Sequence, residues 1–441
     1  MRLSRVAPAF ALVVAPSVAR ADAFSIFGFG PAAVAESNAR VARADDGTAT
    51  HLNPGGLALG RGSRLELGAI GQVSALTAGG AHRGIDDPIG LTLAIDADVP
   101  LEGPLDGVLR VGFGLHSLPT RVMHVALRSE GTPQLPYYDN RTQRLVLLPA
   151  IAARLAPWLG IGASFDSLAG LAGSADLRPG ASRVPEPRTD EAITTRVRPI
   201  LGVRVDPIDR LHLGLTWRGA FRAPVTTETH AEIAGVPLYV NASENAALFD
   251  PATITLGAAW DVSPRAQLEV DVAYARWSSY PGPGFSVTAT LPGLYAPAPE
   301  QPALYRDVWS VRAGGSQMLA LGAHDLVLRA GGGYEPSMMK DVRQGATNLV
   351  DSSKIVASAG ATLALRGLFS SPLRIGLGAQ AHVLPTRSTD KVACSALPCA
   401  ADTVVGNDAA NPSAGIADPG YPKLSGGGAI VAVALSLGVD L

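Results

Sequence analysis

No stretch of this 441-residue chain approaches the roughly 18 to 20 consecutive apolar residues of a membrane-spanning helix, because Gly, Pro, Arg and Asp interrupt every apolar segment. Spanning helices are excluded. Charge of one sign is scarce too: 36 Lys and Arg face 38 Asp and Glu, for a net charge of −2, and no basic run occurs, so nucleic acid is not an expected partner. There are only two cysteines, Cys394 and Cys399. Their spacing lacks the second pair of ligands that a zinc site needs, so no metal is expected. No Gly-x-Ser-x-Gly elbow is present and the eight histidines are scattered, mostly one per strand or loop, which argues against a hydrolase. No enzyme activity and no cofactor are expected.

What is present is apolar surface without helices to carry it. Hydrophobic residues make up 47% and charged residues 17%, more apolar than an ordinary soluble domain of this size. The remaining membrane structure that satisfies every backbone polar group in lipid is a closed β-barrel. From Ser63 onward the chain runs in segments of two-residue periodicity, the pattern of strands with two unlike faces. Leu268, Val270, Val272 and Tyr274 share one face while Gln267, Glu269 and Asp271 share the other. Leu211, Leu213, Leu215, Trp217 and Phe221 likewise oppose His212, Thr216, Arg218 and Arg222, in a segment read as one strand over 210–227. Near the end, Val431, Val433, Leu435, Leu437, Val439 and Leu441 alternate with polar and small residues.

The segments predict an all-β fold, a transmembrane antiparallel barrel of about 14 strands over residues 63–441. Short links at 100–106, 157, 206–209, 264–265, 321–324 and 367–372 alternate strictly with long ones at 78–87, 119–141, 173–190, 228–250, 280–305, 336–351 and 385–424. A soluble sandwich has no reason to sort its loops by parity; an outer-membrane barrel does, with short periplasmic turns and long outer loops. Both termini are then expected on the periplasmic side of a bacterial outer membrane, in a monomer surrounded by outer-membrane lipid.

Residues 1–21 read as an export signal: Arg2 and Arg5, an apolar run from Val6 to Ala15, and the small-x-small site Ala19-Arg20-Ala21. Export implies an oxidising compartment, where Cys394 and Cys399 form a local disulfide or remain two surface thiols. Residues 22–62 do not fit the strand series. They are rich in Ala and Gly, with Asp45-Asp46 and the turn-forming Asn53-Pro54-Gly55-Gly56, and read either as a plug in the barrel lumen or as a flexible leader.

Several segments, in order, resemble a known family. They are Phe24 to Gly28, Ala42 to Leu57, Asp250 to Trp260, Val272 to Tyr280, Arg306 to Trp309, Leu328 to Pro336 and the approach to the last strand from Tyr421 to Gly428. The family is the outer-membrane long-chain fatty acid transport proteins, which include channels for aromatic hydrocarbons. The resemblance spans nearly the whole mature chain. It implies an N-terminal hatch (Asp45, Asp46, Asn53, Pro54, Gly55), a hydrophobic ligand or fatty acid as cargo, lateral release through the wall, and assembly by the barrel assembly machinery. Two positions depart from the pattern: Gly55 stands where the family usually has Ala, and the chain ends in Leu441 rather than an aromatic residue.

Phe24, Ile26 and Phe27 are apolar where a free leader would be polar, and are candidates for the movement that releases ligand. Arg196, Arg198, Arg204, Arg218 and Arg222 lie on polar faces of two adjacent strands. They form either a clamp for a ligand carboxylate or ordinary lumen ion pairs. Asp45-Asp46 is either a solvated turn or a hatch-to-wall contact. Gly112 and Gly114, followed by Pro119, permit a bend in the third strand. Two other functions stand beside the carrier: a nonselective porin, which would conduct ions steadily, and a purely structural surface protein.

Overall fold

The computed structural model describes residues 23–83, 89–119, 133–139, 141, 145–179, 185–233, 236–282, 285–289, 304–340, 348–367, 371–390 and 423–441. The export signal and both cysteines, Cys394 and Cys399, lie outside them. Four short helices come first: α1 (Phe24–Phe27), α2 (Gly30–Ala35), α3 (Ala49–Leu52) and α4 (Pro54–Leu57). The strands that follow are β1 (Arg64–Ala78), β2 (Ala81–Arg83), β3 (Ile89–Asp98), β4 (Leu109–Ser117), β5 (Val146–Ala156), β6 (Leu159–Pro179), β7 (Pro185–Ile208), β8 (Leu211–Arg218) and β9 (Phe221–Ile233). They continue with β10 (Val236–Asp250), β11 (Thr253–Ser263), β12 (Ala266–Ala275), β13 (Phe285–Ala289), β14 (Val308–Leu321), β15 (His324–Glu335), β16 (Lys354–Leu365), β17 (Leu373–Asp390) and β18 (Lys423–Asp440).

Fourteen of these strands form a closed antiparallel circuit, β1-β3-β4-β5-β6-β7-β8-β11-β12-β14-β15-β16-β17-β18, and β18 returns to β1 from Arg64↔Asp440 to Ala78↔Gly426. Closure leaves the wall without an edge, as lipid requires. The faces are inverted relative to a soluble protein. Leu268, Val270 and Val272 are 57%, 47% and 36% exposed, whereas Glu269 and Asp271 between them are 1% and 3% exposed. On β14, Trp309 and Leu321 both point outward, twelve residue steps apart. At about 3.4 Å per residue and a tilt near 45°, that is roughly 29 Å along the normal, the thickness of a bilayer core.

Two expectations from sequence change. The segment read as one strand over 210–227 breaks after Arg218: Gly219 donates its N–H to the Pro199 carbonyl at 3.0 Å, and β9 starts at Phe221. The interruption shifts side-chain parity by one, so Phe221 turns inward at 3% exposed and Arg222 turns out. In addition, parts of the expected long outer loops are β-structure. β6 and β7 continue as a hairpin to Pro179↔Pro185, β9 and β10 form a second hairpin, β9 runs parallel to β6 over Ala172↔Thr226 to Leu177↔Ala231, and β13 pairs with β10. Thr194, Thr195, Val225, Thr226 and Thr227 supply the β-branched residues that favour extending these ladders.

The N-terminal segment, residues 23–60, crosses the lumen and fills it. Glycines on the inner wall make room for its backbone. A β-carbon on Gly314 or Gly331 would meet Glu36, one on Gly376 would meet Pro31, and one on Gly112 or Gly114 would meet Thr50 or Phe29. The glycines of the third wall strand therefore serve close packing of the hatch.

Candidate functional site

The hatch is built around Asn53. Its Oδ1 accepts from the Gly55 N–H at 3.1 Å, capping α4, while its Nδ2 donates to the carbonyls of Val41 at 2.8 Å and Val203 on β7 at 3.0 Å. Pro54 occupies the first helical turn, where a missing N–H costs nothing. Gly55 then passes so close to β7 that a β-carbon would lie 2.7 Å from the Gly202 carbonyl oxygen. A residue without a side chain is what permits this approach.

A charged core joins the hatch to the wall. Glu36, fully buried, receives Arg40 at 2.9 Å, Arg43 at 3.1 Å and Arg329 of β15 at 3.5 Å. Burial opposes its ionisation, yet the three guanidinium groups outweigh burial and hold its carboxyl below the usual range. Arg43 continues to Glu269 of β12 at 2.7 Å, and the N–H of Ala42 donates to the same carboxylate at 2.6 Å. Asp45 pairs with Arg64 of β1 at 3.4 Å, a hatch-to-wall contact, and Asp46 accepts from the N–H of Thr48 at 3.0 Å. Burial opposes ionisation of Asp46 as well. Arg40, Arg64 and the Thr48 hydrogen bonds overcome it and keep the acid below its ordinary value.

The three candidate gating residues are fully buried and divide between two apolar clusters. Phe24 stacks on Phe29 with centroids 3.9 Å apart, lies edge-on to His116, and joins Val146 and Leu148 of β5, Ile200 of β7 and Phe221. Ile26 and Phe27 join a larger cluster, with Tyr137, Tyr138, Phe249, Trp277, Tyr305 and Met338 among its members.

That larger cluster is a lid. Residues 133–139 and 141, from the connection between β4 and β5, fold over the lumen and are held by reciprocal backbone hydrogen bonds, Gln134 to Asn348 and Val350 to Gln134, each 2.9 Å. Tyr137 is clasped by cations, with Lys354 3.7 Å and Arg141 4.8 Å from its ring, and its hydroxyl donates to Glu335 at 3.1 Å. Burial, reinforced by Glu335, pushes the Tyr137 phenol well above its usual value, so it remains a donor at any physiological pH.

Between lid and hatch lies a chamber of about 110 Å³. Of the five candidate arginines, Arg198 and Arg218 reach it. Arg198 bridges Asp166 and Asp250, the latter at 3.3 Å, and Arg218 donates to the His51 carbonyl at 2.6 Å. Arg204 pairs with Asp206 at 3.0 Å, and Arg196 and Arg222 are exposed. The five therefore do not converge on one point. The lid residues Tyr137 and Arg141 were not singled out from sequence, and Asp250, Trp277 and Glu335 entered only as members of segments carrying the resemblance, without a site role. Tyr137-Tyr138, an aromatic pair inside a long polar connection, was the available signal.

The wall has one weak level beside the first apolar cluster. The β5–β6 ladder pairs Val146↔Leu168, Leu147↔Ser167 and Ala150↔Ser164, with no pairing at Leu148 and Pro149 opposite Asp166 and Phe165. Pro149 has no N–H to give. On the other side of Phe165 stands Pro199 of β7, also without a donor. The β6–β7 ladder is nevertheless continuous from Ser164↔Ile200 through Phe165↔Pro199 to Asp166↔Arg198, so the gap lies on the β5 side alone, inside the apolar band where an unpaired carbonyl is costly. Behind this level, inside the barrel, sit Leu148, Phe24 and Phe29.

These features define a transmembrane fourteen-stranded barrel filled by its N-terminal segment and covered by an aromatic lid. Among solved structures it is similar to a Pseudomonas aeruginosa FadL homologue (13% identity, TM-score 0.58, covering 93% of this chain and 98% of that one). It is also similar to the CymD monoaromatic hydrocarbon channel (14%, TM-score 0.58, covering 95% and 99%) and to the P. putida toluene transporter TodX (14%, TM-score 0.55, covering 94% and 99%). The chain has the FadL-like barrel fold. No family model and no curated protein sequence matches it.

Proposed function

We propose that this protein carries hydrophobic small molecules inward across a bacterial outer membrane and releases them sideways through the wall. The observation that carries this reading is the unpaired level at Pro149 and Phe165 with Phe24 and Phe29 packed behind it. An apolar molecule that displaces Phe24 gains roughly 0.8 kcal/mol per buried CH₂ on the way in and leaves into lipid without crossing water. Long-chain fatty acids are one cargo class, and the name of the FadL homologue supports it. The names of CymD and TodX, and the aromatic and Met side chains of the lid cluster, among them Tyr137, Tyr138, Phe249, Trp277, Tyr280, Tyr305, Met338 and Met339, favour aromatic hydrocarbons as a second. The first 21 residues act as the export signal, the termini face the periplasm, the barrel assembly machinery inserts the monomer, and Cys394 and Cys399 pair in an outer loop.

Deleting residues 22–28 removes α1 and with it the seal. Uptake of a labelled fatty acid and of toluene by cells carrying the variant is expected to fall severalfold against wild type, with barrel assembly unchanged on a heat-modifiability gel. Wild-type uptake of both compounds would refute the gating role of Phe24, Ile26 and Phe27.

A further inference from the structure

A polar chain runs through the apolar cluster that joins the lid to the hatch. Tyr138 of the lid, His382 and Gln380 of β17 and Phe27 of α1 are each 2% exposed or less. The Tyr138 hydroxyl lies 3.2 Å from Nδ1 of His382, and Nε2 of the same ring lies 2.6 Å from the Gln380 side-chain amide. The far side of that amide faces two backbone carbonyls, Phe27 at 3.1 Å and Val34 of α2 at 3.0 Å. Only one arrangement of protons serves every group. A carbonyl can only accept, so the NH₂ of Gln380 donates to Phe27 and Val34, which leaves its oxygen for the ring. That oxygen needs a proton, so His382 carries one on Nε2; Nδ1 is then an acceptor, and Tyr138 donates to it. Burial pushes the Tyr138 phenol well above its ordinary value, so it keeps the proton it donates. Turned the other way, the hydroxyl would leave that proton buried without another acceptor among the described residues.

We propose that this chain is a latch through which the lid governs α1: Tyr138 fixes the tautomer of His382, His382 fixes the face of Gln380, and Gln380 ties α1 to α2. With the lid in place, one amide bridges the Phe27 and Val34 carbonyls. When cargo lifts the lid, water takes the place of the Tyr138 hydroxyl and serves Nδ1 whether or not it carries a proton. The proton of His382 can then sit on Nδ1, Nε2 becomes an acceptor, and Gln380 turns its NH₂ toward the ring. Its oxygen now faces the two carbonyls, acceptor against acceptor, and the tie becomes a repulsion. Gly28, at φ +106°, follows Phe27 and supplies the hinge on which α1 swings. One buried network thus has two discrete arrangements that follow the position of the lid, which is what coupling between separate segments requires. The latch rests on the gating role proposed for α1 and adds what governs the gate.

The test is hydrogen exchange followed by mass spectrometry on the full-length mature protein in nanodiscs, with toluene uptake by cells read alongside. Tyr138→Phe removes one hydroxyl and keeps the ring. The amides of Phe27 and Gly28, which donate to Ala23 and Phe24, are expected to exchange at least fivefold faster in this variant, with the amides of β11, β12 and β14 unchanged. Gln380→Leu cuts the chain at its other end; it is expected to loosen α1 likewise and, by reciprocity, to speed exchange of lid residues 134–139 by a comparable factor. Tyr138→Phe added to Gln380→Leu is expected to change α1 no further, whereas two independent packing losses would add. The ¹⁵N spectrum of His382, assigned by its loss in His382→Gln, is expected to show the proton on Nε2 in the wild type and partly on Nδ1 in Tyr138→Phe. Wild-type exchange of α1 in Tyr138→Phe, additive effects in the double variant, or a wild-type His382 protonated on Nδ1 would overturn the latch while leaving the gating role of α1 intact. Uptake at limiting toluene is expected to rise at least twofold in either single variant, because the latch opposes opening. A loosened α1 with unchanged uptake would keep the latch and overturn the gating role.

Discussion

Glu36 is the residue on which the seating of the hatch depends most. It accepts from Arg40 and Arg43 of the hatch and faces Arg329 of the wall, with none of its surface exposed. Glu36→Gln preserves volume and one acceptor but leaves three buried guanidinium groups facing a neutral amide. Removing one partner from a buried ion pair costs about 3–5 kcal/mol. Arg43 keeps Glu269 at 2.7 Å and Arg329 keeps the Thr362 hydroxyl at 2.7 Å, so the lower end applies, about 3 kcal/mol or roughly a hundredfold in the seating equilibrium. The fourteen-stranded wall contains none of the broken contacts except Arg329 and should assemble normally. Hydrogen exchange followed by mass spectrometry on the detergent-solubilised barrel is the assay. Amides of residues 24–57 are expected to exchange about a hundredfold faster in the variant, with the amides of β16 to β18 unchanged. A hatch exchanging at the wild-type rate would show that its seating rests on packing against the wall glycines and not on this carboxylate.

Three further outcomes follow from the same structure. Gly56→Ala should prevent seating as well, since its β-carbon would collide with the Ala44 carbonyl; ion conductance in planar bilayers should rise from near silence to frequent openings. Acid should release the hatch in a defined direction. Glu36 and Asp46 lie below their ordinary values of 4.5 and 3.8 when seated, so their contribution is complete above those values and is lost as pH falls through the depressed ones; hatch protection, measured against the intrinsic exchange rate at each pH, should stay flat from pH 5 to 8 and fall only below about 4. Pro149→Ala restores an N–H opposite Phe165, should close the β5–β6 ladder, and should reduce uptake severalfold while raising the temperature of heat-induced barrel unfolding.

The barrel was readable in the sequence because lipid imposes a two-residue period over long spans, and residues such as Val270 and Asp271 have no compromise position on a wall strand. All fourteen wall strands fall where that alternation places them. The reading fails where a strand leaves the bilayer. Beyond Gly219 nothing forces an apolar face, so the shift in parity that buries Phe221 and exposes Arg222 left no trace in local composition. The arginines show the same limit. Their presence on polar faces was visible, but Arg198 finds Asp166 and Asp250 through a register and a lid that spacing does not encode. The inner glycines were legible only as permissive residues. Their purpose appears once Glu36, Pro31 and Thr50 are seen occupying the space that a β-carbon would fill.

The division of forces within the hatch determines which part of it moves. Its body is tied to the wall by directed contacts that desolvated groups cannot give up cheaply: Glu36 with Arg329, Arg43 and the Ala42 amide with Glu269, Asn53 with the Val203 carbonyl, and Thr216 donating to the Leu52 carbonyl at 2.9 Å. Phe24, Ile26 and Phe27 of α1 are held instead by ring stacking and apolar burial, and that four-residue helix has no side-chain cap. A hydrophobic cargo can replace apolar contacts one for one, since its own carbon surface supplies what Phe24 loses. It has nothing to offer in exchange for Glu36 or Asn53. Opening by cargo should therefore shift α1 and leave the rest of the hatch in place, with the chamber above it and the unpaired level at Pro149 beside it as the two ends of the route.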